Sequence, residues 1–164
     1  KITGNIPYYI TGRLLRILSE LEPKPKIIVL TLQREVAEKI AAVPPKMNLL
    51  AAATQFWAKP EIIQILKPGD FSPPPAVHSA IIKLTIKYQK SNIKDEEYYK
   101  FIRILFKQPR KTIFNNLREG LPINPEKIVA ILGENSLIGK ERPQELDLKL
   151  LISLAKGFGE FLVL

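Results

Sequence analysis

The sequence predicts an α/β domain over residues 1–88 followed by a small all-helical domain over residues 89–164. Three observations predict this. Up to Tyr88, short apolar runs with the period of a strand alternate with runs of helical period; beyond Ser91-Asn92 the spacing is helical to the end. At 46% apolar in 164 residues, the chain can fill one good core or two small ones. No internal repeat or low-complexity segment interrupts it.

The elements follow in order. The chain opens inside a strand that ends at Gly4, with Asn5-Ile6-Pro7-Tyr8 just beyond it. Thr11 is placed to cap a helix whose apolar face is Leu14, Leu15, Ile17, Leu18 and Leu21, and Pro23 and Pro25 stop it. The nearly continuous apolar run from Lys26 to Leu32 predicts a strand covered on both faces. Residues 34–42 read as a helix with Val36, Ala37, Ile40 and Ala41 on one side, ended by Pro44-Pro45. Asn48 is placed to cap a helix running to about Trp57, with Pro60 marking its stop. Glu61 to Leu66 and Ser79 to Tyr88 then read as strands. In the second, Ala80, Ile82, Leu84, Ile86 and Tyr88 share one face and Lys83, Thr85 and Lys87 the other. Beyond this, Asp95 to about Leu117 reads as one helix or two. Asn124-Pro125-Glu126 is a cap with a first-turn proline, and Leu146 to Phe158 closes the set.

Composition narrows the function classes. No apolar run approaches the length of a bilayer span, and no secretory leader opens the sequence, so export is not expected. With no cysteine and a single histidine, His78, neither a disulfide framework nor a thiolate metal site can form, which suits a reducing cytoplasm. The 25 basic and 16 acidic residues give a net charge of +9, which favours a polyanionic partner. From Lys100 to Arg118 there are six basic residues and no acidic one, in a segment of otherwise helical spacing. Such a one-signed face means nucleic acid or plain solvation.

Two segments carry chemistry. Asn5-Ile6-Pro7-Tyr8 places a side-chain carbonyl, a rigid turn and a stacking ring together, and the proline frees nearby carbonyls to point outward as acceptors. That pattern suits an amino group on a flat ring, although an ordinary strand-end turn has the same look. Phe71 heads a polyproline loop, Phe71-Ser-Pro-Pro-Pro, that runs into the strand at Ser79. It is placed either to face Tyr8 across a flat ligand or to pack in the core.

Five stretches together carry a resemblance: GNIPYYIT (residues 4–11), LQREVAEKI (32–40), FSPPPAVHSAIIKL (71–84), FKQPRKTIFNNL (106–117) and RPQELDLKLLISLA (142–155). In order and spacing the chain resembles, over essentially its whole length, the ribosomal RNA adenine dimethyltransferase family. Residues 110–112, Asn115-Asn116 and Arg142 to Leu146 look like its small-subunit branch. The resemblance implies the C-terminal part of a Rossmann-like methyltransferase sheet followed by a small all-helical, RNA-binding domain. It implies N6,N6-dimethylation of two adjacent adenines near the 3′ end of small-subunit rRNA, with S-adenosylmethionine as methyl donor, in ribosome biogenesis. Asn5 would accept from the target N6 and, with Pro7, lie near the cofactor's methionine end. The carbonyl of Ile6 or Pro7 would be the second acceptor, and Tyr8 and Phe71 would stack on the flipped base. Arg103, Lys107, Arg110 and Lys111 would hold phosphates of the rRNA or the pre-ribosomal small subunit. No metal is implied, and the full-length protein is expected to be cytoplasmic and monomeric.

The family's glycine-rich cofactor turn and the acid after its second strand would both precede Lys1, so a segment N-terminal to Lys1 is expected and the chain alone is expected to be inactive. Residues 43–47 replace a loop that in relatives usually contains Gly and Ser, and His78 stands where relatives often have an acid; it reads as a structural residue near the site. Two other readings stay open: a non-catalytic rRNA-binding assembly factor, and a DNA-binding transcription factor on the same scaffold.

Overall fold

The computed structural model describes residues 1–87 and 93–162. The chain divides into two compact units, Lys1–Ala41 with Thr54–Tyr88, and Ala42–Ala53 with Gln89–Leu164. The strand end expected at Tyr88 and the boundary expected between residues 88 and 89 lie outside the described residues.

The first unit is built on four strands: β1 (Ile2–Asn5), β2 (Ile27–Gln33), β3 (Ala58–Leu66) and β4 (Ser79–Ile86), in the order β1-β2-β4-β3. β1 runs parallel to β2, while β4 is antiparallel to both of its neighbours. The alternation in sequence sets the core. Ile28, Leu30 and Leu32 stand opposite Leu84, Ile82 and Ala80, and all six are buried. The other face of β2 is half-buried, so the continuous apolar run yields one closed face rather than two.

Two local expectations change. Thr11 is the first residue of α1 (Thr11–Glu20) and not its cap: a 3₁₀ turn over Tyr8–Ile10 feeds the helix, and Thr11 Oγ1 donates to the Tyr8 carbonyl at 3.1 Å. Pro60 does not end a helix but lies inside β3, which begins at Ala58. β3 pairs only with β4 among the described strands, and an edge strand tolerates a residue with no N–H to give. The helix α2 (Arg34–Ile40) is shorter than expected, and α3 (Leu49–Trp57) is capped as expected, with Asn48 Oδ1 accepting from the Ala51 N–H at 3.0 Å.

In the second unit, the span from Asp95 to Leu117 resolves into two helices, α4 (Asp95–Leu105) and α5 (Ile113–Gly120). α6 (Pro125–Glu134) starts at the expected cap, where Asn124 Oδ1 accepts from the Lys127 N–H. α7 (Leu148–Gly157) starts two residues later than expected, because Asp147 caps it and Pro143–Glu145 form a 3₁₀ turn. Phe101 and Phe158 stack with ring centroids 5.9 Å apart, and α4 meets α5 closely at Gly120, where any Cβ would run into Ile104.

Candidate active site and cationic loop

The site in the first unit forms where β1 ends. Ile6 N–H donates to the Thr31 carbonyl at 3.2 Å, which continues the β1–β2 pairing one residue past Asn5. Pro7, at φ −56° and ψ 129°, then turns the chain, and its carbonyl accepts from the Ile10 N–H at 3.2 Å. This leaves the Asn5 side chain exposed at the strand end, the Tyr8 ring half-buried and the Tyr9 ring almost wholly in solvent.

Phe71 arrives from the opposite side of the sheet's sequence. After β3 the chain makes a 3₁₀ turn at Pro68–Asp70, where Asp70 Oδ2 accepts from the Lys67 N–H at 2.8 Å and the Phe71 N–H donates to the Pro68 carbonyl at 3.2 Å. Phe71 is therefore held by its own backbone; it is half-buried, not a core residue. Asn5, Ile6, Pro7, Tyr8, Phe71, Pro73 and Pro75 line one pocket of about 280 Å³. That volume is at the small end of the roughly 300–1,000 Å³ of small-molecule sites, a size for one flat ring rather than a whole nucleotide cofactor.

None of the seven lining residues carries a charge, so the pocket suits a neutral ring. Asn5 brings a side-chain amide to this lining, beside the backbone carbonyls of Ile6 and Pro7. The pocket lining offers no carboxylate for ribose hydroxyls. Among the described residues, no group of three or more His, Cys, Asp or Glu could hold a metal ion, and no helix is long and apolar enough to cross a membrane.

Three residues were not singled out by the sequence. Pro73 and Pro75 line the pocket, though they belong to the polyproline run already noted. Ser79, fully buried, places its hydroxyl 2.7 Å from the Tyr8 phenol, and nothing in the local sequence signals that contact. His78 is exposed, and what it contributes is its carbonyl, which accepts from the Arg34 N–H at 3.0 Å where α2 begins.

The basic segment of the second unit is not one helix face. Lys100 and Arg103 are on α4, Lys107, Arg110 and Lys111 are in the connection to α5, and Arg118 is on α5. Buried Asn116 shapes that connection: its Oδ1 accepts from the Gln108 N–H at 3.1 Å, and its Nδ2 donates to the carbonyls of Gln108 and Thr112 at 3.1 and 3.2 Å. Thr112 caps α5. Lys111 Nζ lies 2.7 Å from Glu119, whose other oxygen accepts from Gln108 Nε2. The hydrogen bond from Lys111 holds the Glu119 carboxyl below the usual range, against an opposing effect of desolvation; the charges of Lys111, Arg118 and Lys107 add to the lowering. Lys100 Nζ donates to the Leu162 carbonyl. Arg103, Lys107 and Arg110 are exposed.

Comparison with known proteins places the chain. A family model described as ribosomal RNA adenine dimethylase matches residues 1–154. A ribosomal RNA small subunit methyltransferase A of Dehalococcoides mccartyi (strain ATCC BAA-2266 / KCTC 15142 / 195) is 32% identical over 151 residues, covering 91% of this chain and 52% of that protein. Another of the same name from Koribacter versatilis (strain Ellin345) is 40% identical over 122 residues, covering 72% and 43%. A crystal structure of a dimethyladenosine transferase from Plasmodium falciparum shares the fold at a TM-score of 0.85 and 24% identity, covering 98% of this chain and 67% of that one. That of the 23S rRNA methyltransferase ErmE does so at 0.72 and 21%, covering 94% and 63%. The chain spans about half the length of the curated relatives it matches.

Proposed function

Because the chain belongs to the ribosomal RNA adenine dimethylase family, we propose that it supplies the base-gripping wall and the RNA-holding helical domain of an enzyme that dimethylates N6 of two adjacent adenines near the 3′ end of small-subunit rRNA. The observation that carries this reading is the convergence of Asn5, Ile6, Pro7 and Tyr8 with Phe71 around one small uncharged pocket. S-adenosylmethionine, when bound, supplies the electrophilic methyl group.

What this chain does is prepare the nucleophile. An adenine amine is a poor nucleophile because its lone pair is delocalised into the ring. Asn5 Oδ1 accepts one N6 hydrogen and a backbone carbonyl accepts the other, drawing the nitrogen toward pyramidal geometry and freeing the lone pair, a gain realised mainly in the transition state. The Pro7 carbonyl already accepts from Ile10, so the Ile6 carbonyl is the better second acceptor. Tyr8 and Phe71 hold the flipped ring between them. No lining side chain is placed as a general base; the methylated ammonium is acidic enough to lose its proton to water. Arg103, Lys107, Arg110 and Lys111 hold RNA phosphates, and the enzyme works in the cytoplasm.

The test is Asn5→Ala in the complete enzyme that contains this segment. Methyl transfer to small-subunit RNA is expected to be lost while RNA affinity stays close to wild type. Wild-type turnover by the variant would sink the assignment.

A further inference from the structure

We propose that Ser79 is a positioning residue for the base slot: its hydroxyl fixes the Tyr8 ring at a set distance from Phe71. This rests on the methyltransferase reading of the pocket and adds a residue that touches neither base nor cofactor. Three observations carry it.

First, the Ser79 and Tyr8 oxygens are 2.7 Å apart although the residues are far apart in sequence, and Ser79 is completely buried. A half-buried phenol needs a partner, and this serine supplies one at the tip of the ring, where it controls the ring's tilt. Second, Ser79 is a fixed point. It opens β4, a central strand, and is in register with Gln33 on β2 and with Leu66 on β3. Third, the same residue closes the Phe71 loop. Leu66 ends β3 and Ser79 begins β4, and these two are cross-strand partners, so the segment bearing Phe71, Pro73 and Pro75 is pinned at its base by the Leu66–Ser79 pair. One residue thus anchors the loop of one wall by its backbone and the ring of the other by its side chain. The width of the slot is set at Ser79.

The test is a set of variants of the complete enzyme, Tyr8→Phe, Ser79→Ala and the pair together, each also made with Phe71→Ala. Both Tyr8→Phe and Ser79→Ala keep the local volume and remove only the hydrogen bond. Each is expected to lower kcat/KM by about 3- to 10-fold, the range of one net hydrogen bond. The double variant should fall within about 2-fold of either single one, because both delete the same contact. With Phe71→Ala, Ser79→Ala should change kcat/KM by less than about 2-fold, since a slot with one wall has no width to set. A purely structural serine would cost the same with or without Phe71. Multiplying losses in the double variant, a loss in Ser79→Ala without one in Tyr8→Phe, or no loss in either would overturn the proposal alone, provided Asn5→Ala is inactive. Full turnover by Asn5→Ala would overturn the reading of the pocket and this inference with it.

Discussion

Pro7 shows how one residue can organise a site. Its fixed φ turns the chain out of β1, and its carbonyl starts the 3₁₀ turn that sends the Tyr8 ring inward and the Tyr9 ring outward. The rings that face the pocket should each matter to the same degree. Tyr8→Ala and Phe71→Ala are expected to weaken capture of the flipped adenine by about 1–3 kcal/mol, as aromatic platforms for bases do; titration with RNA carrying a fluorescent adenine analogue measures it. Activity of Phe71→Ala equal to wild type would make that ring irrelevant to the base. At Gly120 the requirement is steric. Gly120→Ala pushes a methyl group into Ile104, and overpacking of this kind costs about 1–3 kcal/mol, to be read from the urea midpoint.

The connection between α4 and α5 behaves as an element in its own right, tied by Asn116 into a fixed presentation of cations. Not all of these cations are equally available. Lys107 and Arg110 are exposed, whereas Lys111 already has a carboxylate partner in Glu119. Arg110→Ala with Lys111→Ala should lower RNA affinity and flatten its dependence on salt, because each lost phosphate contact releases fewer counterions. Arg110→Ala alone should account for most of that change, and an unchanged slope in a filter-binding series would mean the loop is only solvated. Sequence reasoning found the charges here but not their arrangement. Residues 106–112 hold one apolar side chain, Phe106, and a proline, Pro109, which leaves one helix or two open, and the hydrogen bonds of Asn116 show how the connection is shaped where the helix breaks. The same division holds elsewhere. The inward face of Ala80, Ile82 and Leu84 was legible because alternation is a local signal, whereas the continuous apolar run of β2 hid which of its faces is closed, and only its pairing with β4 shows that Ile28, Leu30 and Leu32 form it. Pro60 was misread because a proline that ends a helix and one on an edge strand look alike until the neighbours of the strand are known. Asn5, Tyr8 and Phe71 could be named from the resemblance, but Ser79 could not, since its partner is contributed by a distant part of the chain.

For the whole molecule, the pocket is small and its lining is uncharged. It has room for a ring and acceptors for an amine, but no carboxylate for a ribose. Residues 1–164 alone are therefore expected to bind S-adenosylmethionine no better than weakly and to catalyse nothing, while still binding structured RNA; clear micromolar heat in a calorimetric titration would contradict this. β1 pairs with β2 on one side, and among the described residues its other edge is unpaired, so the isolated chain should also self-associate through strand pairing, visible as concentration-dependent mass in sedimentation. The strand order carries a further consequence, for biosynthesis. β4 follows β3 in the sequence, yet it lies between β2 and β3. While the chain emerges from a ribosome, β3 has no neighbour and the Phe71 loop has no closing partner until residues 79–86 have followed. Vectorial synthesis thus delays assembly of the base slot until β4 arrives, and premature termination before that point leaves a product with half a sheet and no slot.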